Sequence, residues 1–253
     1  MNGSNQILVR RWCRLGVLFN VPPSRQTPDL ERLLLDTATA IPGSPRLFIM
    51  AATWLSHYGR LVARHRLRRM VGEAEDPAAV AVLGLLLDTV DTMCHTDVFA
   101  AAKSACGPAS TQMPLFTADR ASNGLAEFAR SRASKVSKRW NLWTEDIELK
   151  TDALRPLDWI MEKNPSMQVR AILSGGLRAS ILACLQYDAT SGASEAQLAR
   201  LCGATRKAVH EAADHLELCG MIDRTRPGRD YKVALKRALC AAQPHSGSRS
   251  FAS

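Results

Sequence analysis

The sequence lacks the short motifs that mark several classes of enzyme. It has no Walker phosphate-binding loop, no GxGxxG dinucleotide fingerprint and no GxSxG nucleophile elbow. Its six histidines form neither HExxH nor another zinc-ligand spacing. We therefore expect a protein that is not an enzyme and that has no metal site and no cofactor.

Paired cysteines are also missing. The seven cysteines are odd in number, scattered along the chain and never arranged as CxxC. This pattern argues against a disulfide framework and against a structural zinc site, and it favours a reducing compartment. The cytoplasm is the expected location.

Long apolar segments are absent as well. The longest uncharged apolar run, residues 78–87, is too short to span a bilayer. No positive segment followed by an apolar core opens the sequence, so we expect no secretory signal. We expect no membrane partner. No acidic residue precedes Asp29, whereas several arginines do, which faintly resembles an organellar transit peptide. The apolar spacing of this segment fits an ordinary amphipathic core helix better.

Positive charge is what the sequence has in excess. Thirty-three lysines and arginines against 24 acidic residues give a net charge of +9 and a pI near 9.5. Such a balance is typical of proteins with polyanionic partners, although a basic protein without one is the alternative. The length of 253 residues and the 46% hydrophobic content allow one large domain or two small ones.

The N-terminal part, residues 1–174, is predicted to be an all-helical domain of unknown role. Ser44-Pro45 and Asp76-Pro77 each combine a good N-cap with proline at the first helical position. The segment after Pro77 is apolar on nearly all sides, which predicts a buried central helix. A loop rich in glycine and proline at 106–118 is a possible boundary between two parts of this domain. This domain is the expected surface for a homodimer or a protein partner.

Two basic runs in this part form a possible secondary patch. One run is predicted near the end of the helix that Ser44 begins, and the other on a helix with apolar positions Leu125, Phe128, Val136 and Trp140. Solvated helix faces and a core tryptophan are the simpler interpretation, and phosphate contact is the functional one. The residues are Arg64, Arg66, Arg68, Arg69, Arg132, Lys135, Lys138 and Arg139.

Residues 177–240 have the element order of a winged helix-turn-helix. A first helix is followed by Ser194 as the N-cap of a short second helix, which Gly203 ends. Thr205 then caps a longer third helix, and two short strands joined by Pro227-Gly228 follow. The last residues, 241–253, are predicted to be a flexible tail.

In this arrangement the start of the third helix reaches base edges, and the strands form a wing that contacts the backbone or minor groove. Ile222, Tyr231 and Val233 are expected to pack, while the cations of the ribbon project. The candidate DNA-binding residues are Thr205, Arg206, Lys207, His210, Arg224, Arg226, Arg229 and Lys232.

The run SEAQLARLCGATRKAVHEAADHLELCGMIDRTRPGRDYKV, residues 194–233, resembles the winged helix-turn-helix of bacterial MarR- and ArsR-type transcriptional regulators. Leu198-Ala199, Val209, Leu216, Gly220-Met221-Ile222 and Arg224 occupy the matching places. The resemblance covers the C-terminal quarter of the chain and implies a DNA-binding role. The long helical N-terminal part matches neither family, so effector and metal sites of those families are not carried over.

Together these patterns predict a mainly α protein in which a helical N-terminal body precedes a C-terminal winged helix with a two-stranded wing. The expected function is binding of double-stranded DNA, as a transcriptional regulator or a DNA-associated accessory factor. The alternative is a non-enzymatic scaffold or adaptor in a larger complex, for example in replication, a mobile element or phage defence, with nonspecific DNA binding or protein binding.

Overall fold

The structure is a computed structural model that describes residues 3–226, 228 and 230–236. This part of the chain is mainly helical, with a small antiparallel sheet near the C-terminus. The first ten helices are α1 (Gly3–Arg14), α2 (Leu30–Ala40), α3 (Pro45–Tyr58), α4 (Arg64–Gly72), α5 (Pro77–Cys94), α6 (Ala100–Lys103), α7 (Asn123–Ser131), α8 (Lys135–Arg139), α9 (Leu157–Lys163) and α10 (Pro165–Leu173). Strands β1 (Met113–Pro114) and β2 (Leu142–Trp143) form a short parallel pair.

Two of the predicted helix starts are confirmed. The side chain of Ser44 accepts a hydrogen bond from the Leu47 amide, and Asp76 accepts from the amides of Ala78 and Ala79. Each proline lies at the first helical position, where the missing N–H costs nothing.

Helix α5 lies at the centre of the N-terminal part and packs against α2, α3 and α8. A Cβ atom at Gly84 would lie 2.1 Å from the ring of Trp140, so glycine permits the indole to approach the helix backbone. Trp140 is therefore a buried core residue. Among the described helices, α5 is the one long and apolar enough to cross a membrane, and 61% of that stretch is buried within the protein.

The two basic runs lie on different elements from those predicted. Arg64 and the basic residues after it form the separate helix α4, because a 3-10 turn at Gly59–Leu61 ends the preceding helix. The second run is divided between α7 and α8, and Leu125 and Phe128 on α7 are exposed rather than buried.

The C-terminal part consists of three helices and a ribbon: α11 (Leu177–Tyr187), α12 (Glu195–Cys202), α13 (Arg206–Leu218), β3 (Ile222–Thr225) and β4 (Lys232–Leu235). The strands pair antiparallel, with Ile222 opposite Leu235 and Thr225 opposite Lys232. Residues 237–240 of the predicted C-terminal domain and the predicted tail lie outside the described residues.

Buried apolar side chains of the described residues form two clusters. The larger cluster belongs to α1–α5 and the segments around them, and the smaller one to α11–α13 and the ribbon. Ala213 and Leu216 of α13 pack in the smaller cluster, whereas Cys219, directly after this helix, is exposed. Val169 and Leu173 of α10 also contact the smaller cluster. The division of the chain into two domains stays a prediction.

A buried group of charged residues joins the two clusters. Arg66 on α4 is only 2% exposed and makes paired hydrogen bonds to Asp29 at the start of α2 and to Asp188 at the end of α11. The fully buried Glu31 accepts from Arg66 at 3.1 Å and from Arg170 of α10 at 2.8 Å. We call these five residues the Arg66 cluster.

The Arg66 cluster keeps its charges by mutual hydrogen bonding. Burial by itself would lower the pKa of the Arg66 guanidinium, but its hydrogen bonds to Asp29 and Asp188 and the charge of Glu31 outweigh burial and raise that pKa above its ordinary value. Glu31 also accepts a 2.7 Å hydrogen bond from the Ala63 amide. A buried ion pair that loses one partner leaves an uncompensated charge, which is strongly destabilising.

The substitution Arg66→Met is expected to lower the free energy of unfolding by about 3–5 kcal/mol, because Asp29 and Glu31 lose their shared partner. Chemical denaturation measures this. The matched control is Arg32→Met, whose guanidinium forms an exposed pair with Asp36 and whose loss costs at most about 0.5 kcal/mol. A loss at Arg66 no larger than that at Arg32 contradicts the structural role given to the cluster.

Candidate nucleic-acid interface

The turn between α12 and α13 determines how the candidate residues are presented. Ser194 caps α12 by accepting from the Gln197 amide at 3.0 Å, and Gly203 ends this helix with a positive φ of 60°. Thr205 then caps α13 by accepting from the Ala208 amide at 3.2 Å. All three predicted caps are confirmed, and the sharp turn leaves the first residues of α13 at the surface.

The first turn of α13 carries two exposed cations. Lys207 is 87% exposed and has only a 4.0 Å approach to Glu211 on its own helix. The Arg206 guanidinium is 57% exposed and donates a 2.8 Å hydrogen bond to Asp230 of the ribbon. Both side chains therefore lie where a ligand can reach them, and Arg206 has a competing carboxylate.

His210 lies one turn further along α13 and faces the second helix. Its Nδ1 atom is 3.0 Å from a carboxylate oxygen of Glu195, which is buried at the start of α12. Nε2 is 3.8 Å from Asp214, and the imidazole ring also lies beside Tyr231. These contacts hold α12, α13 and the ribbon together, so His210 is a packing residue as well as a candidate ligand contact.

Arg224 does not project from the ribbon as predicted. Its side chain is 9% exposed, and its guanidinium binds Glu217 at 2.7 Å, Glu195 at 3.1 Å and also Asp214. Burial tends to lower the pKa of Arg224, but these hydrogen bonds raise it above its ordinary value. The ring of Tyr231 covers the guanidinium at 5.0 Å. Arg224 therefore attaches β3 to α12 and α13.

The remaining ribbon cations differ in how they are held. The guanidinium of Arg226 lies 5.4 Å from the ring centroid of Tyr231 and is exposed. Lys232 is exposed and forms no ion pair with any described residue. Arg229 lies outside the described residues. The predicted packing of Ile222 and Val233 in the smaller core is confirmed.

In the structure, fewer residues of the predicted basic patch on α4 are free to contact a phosphate than the sequence indicated. Arg66 is buried in the Arg66 cluster and cannot contact an external phosphate. Arg64 donates to the carbonyls of Ser174 and Gly175, and so holds the segment before α11. Arg69 pairs with Glu73. Arg68 is exposed and makes no hydrogen bond or ion pair within the described part of the chain.

The other part of that patch lies on α7 and α8. Arg132 pairs with Glu145, and Arg139 binds Asp88 at 2.7 Å. The last two members, Lys135 and Lys138, are exposed and form no ion pair with described residues. Helix α8 packs against α5, whereas α4 packs against α11 and α12. The two basic runs therefore do not pack on a common helix.

The carboxylates that control this surface were not identified from the sequence. Glu195 and Glu217 hold Arg224, and Asp230 holds Arg206. A signal existed in the alternation of acidic and basic residues along α13 and the ribbon. This alternation did not show which carboxylate binds which arginine, because the side-chain directions depend on how the ribbon packs on the helices.

Neither a protein-family model, nor a curated protein, nor a solved structure matches the chain. In the described residues, no three histidine, cysteine or acidic side chains come together in a way that could hold a metal ion. Function is therefore inferred from the exposed cations and their partners.

Arg224 and Arg226 are expected to respond differently to replacement by methionine. Arg224→Met should lower the free energy of unfolding by about 1–3 kcal/mol, because it leaves part-buried carboxylates without a donor. Arg226→Met should change it by less than about 0.5 kcal/mol, as an exposed substitution does. Hydrogen exchange of the α13 amides gives the local stability. Equal effects of the two substitutions would show that Arg224 is not the attachment of the ribbon.

Proposed function

We propose that the chain binds double-stranded DNA through a C-terminal winged helix-turn-helix, as a transcriptional regulator or a DNA-associated accessory factor in the cytoplasm. In this proposal α12 and α13 are the helix-turn-helix, α13 enters the major groove, and β3 and β4 are the wing. The observation that carries it is the sharp turn at Gly203, which presents Thr205, Arg206 and Lys207 together at the exposed start of α13.

The chemistry of these three side chains suits DNA. Lys207 is a point charge for a phosphate, and the Arg206 fork matches the O6 and N7 acceptors of guanine. A good pair of this kind discriminates between bases by about 1–3 kcal/mol. Exposed Arg226 and Lys232 extend the positive surface along the ribbon, where a wing contacts the backbone.

The energies of the existing ion pairs decide which arginines are available. In the Arg206–Asp230 pair the arginine is exposed and the aspartate is part-buried, and ion pairs near the surface contribute about 0–1 kcal/mol. DNA can therefore replace Asp230 at little cost. Arg224 is surrounded by three carboxylates and largely buried, so its release would leave charges unpaired. We assign Arg206 to DNA contact and Arg224 to the fold.

The acidic residues of α13 limit how much of this helix can contact DNA. Glu211 and Asp214 follow the basic first turn on exposed positions and would repel phosphates. The helix is therefore proposed to contact DNA with its N-terminal end, as recognition helices do.

A scaffold or adaptor is the second candidate, and a specific observation favours it. Leu218 at the end of α13 is 86% exposed and Ile172 on α10 is 76% exposed, the two highest values among the exposed large apolar side chains of the described residues. Such positions suit a protein partner or a second copy of the chain. DNA binding by the full chain separates the proposed function from a scaffold that binds only protein.

The substitution Lys207→Gln is expected to weaken binding to a mixed-sequence DNA duplex. Loss of one phosphate contact should lower the slope of log affinity against log salt by about 0.9. Fluorescence anisotropy at several salt concentrations measures both quantities. The charge-matched control is Lys150→Gln on the helical body, where Lys150 pairs with Glu148 at the surface; it should leave the slope unchanged.

Two results would contradict the proposal. If Lys207→Gln and Lys150→Gln have equal effects, the start of α13 is not the DNA contact. If the unaltered chain binds no duplex at moderate salt, DNA binding fails and the scaffold role is favoured.

A further inference from the structure

Helix α4 of the N-terminal part lies directly against the turn that presents α13. A Cβ atom at Gly203 would be 3.3 Å from the Cβ of Arg69 and 3.7 Å from the carbonyl oxygen of His65. Thr205 follows Gly203 by two residues, which span at most about 7 Å. The basic surface of α4 and the start of α13 are therefore neighbours, although their residues are far apart in the sequence.

The exposed side of α4 is positive. His65, Arg68 and Arg69 follow one another at helical spacing on the side away from buried Leu67. Burial, followed by the charges of Arg64 and Arg68, lowers the pKa of His65, so His65 is neutral near pH 7 and the positive charge of this side comes from Arg68 and Arg69. Glu73 is the one acidic residue of the described structure that pairs with this side, and its partner is Arg69.

Arg68 is the member of this group that is ready to bind a ligand. It is exposed and has no hydrogen-bonding partner among the described residues, whereas Arg64 and Arg69 have partners. An exposed guanidinium without a partner has no ion pair to break when a phosphate approaches, and it can form two hydrogen bonds to the phosphate oxygens.

We propose that α4 is a second DNA-backbone contact, in which Arg68 binds a phosphate of the same duplex that the start of α13 engages. The proposal rests on the DNA-binding function above and adds a surface from the helical body to it. The backbone would pass from Thr205 and Lys207 over Gly203 to Arg68. The body then contributes directly to affinity and does not act only as a support for the C-terminal part.

The basic run on α8 is not included in this surface. Lys138 is exposed and unpaired within the described residues, as Arg68 is, but its helix packs against α5 rather than against α12. Arg68 and Lys138 therefore differ in position while each substitution removes one positive charge. This pair separates a local phosphate contact from a general effect of net charge.

The test compares Arg68→Gln, Lys138→Gln and Lys207→Gln in the full chain, with a mixed-sequence DNA duplex as the probe. Arg68→Gln and Lys207→Gln should each lower the slope of log affinity against log salt by about 0.9, and the double variant by about twice that amount. Lys138→Gln should match the unaltered chain. Denaturation of each variant checks that the fold is retained.

The possible failures are distinguishable. If Lys207→Gln lowers the slope and Arg68→Gln does not, the α4 contact is wrong while the proposed function stands. If Arg68→Gln and Lys138→Gln lower it equally, the effect is net charge and the α4 contact is again wrong. If none of the substitutions changes the slope, or the unaltered chain binds no duplex, both proposals fail.

Discussion

A buried guanidinium is the interaction on which the arrangement of this chain depends. Arg66 binds carboxylates from the start of α2 and from the end of α11, and so connects the two apolar clusters of the described structure. Tyr187 supports this connection, because the guanidinium groups of Arg66 and Arg170 lie 5.7 and 5.8 Å from the centre of its ring, and its hydroxyl donates to the Pro28 carbonyl. Burial raises the pKa of Tyr187 to about 12, so this side chain stays neutral near pH 7.

The position of α4 links this buried cluster to the surface. The same helix that carries Arg66 inward places Arg68 outward, next in sequence to Arg69, whose side chain lies beside the turn at Gly203. Arg66, which holds the C-terminal part on the helical body, therefore also fixes where Arg68 lies relative to α13. In the proposed DNA complex, this rigid spacing would let two separate elements contact one backbone without a further entropy cost for ordering them.

The features that the sequence predicted well are local ones. Ser44, Asp76, Ser194 and Thr205 cap helices as expected, because an N-cap depends on residues within three positions of it. The role of Arg66 was missed because its partners are 35 to 122 residues away and it occurs within a run of other basic residues. In the ribbon, Ile222 and Val233 are buried as expected, but carboxylates on α12 and α13 bind Arg224, so this predicted DNA contact is a structural residue.

The central claim is that the Arg66 cluster couples the unfolding of the C-terminal part to that of the helical body, and the tryptophans allow a direct test of it. All five lie within residues 1–174, so their fluorescence reports unfolding of the helical body, while hydrogen exchange of the α13 amides reports the C-terminal part. In the unaltered chain the two probes should give one common denaturation midpoint, and in Arg66→Met the C-terminal part should unfold at lower denaturant than the body. Midpoints that already differ in the unaltered chain, or that still coincide in Arg66→Met, would contradict the account.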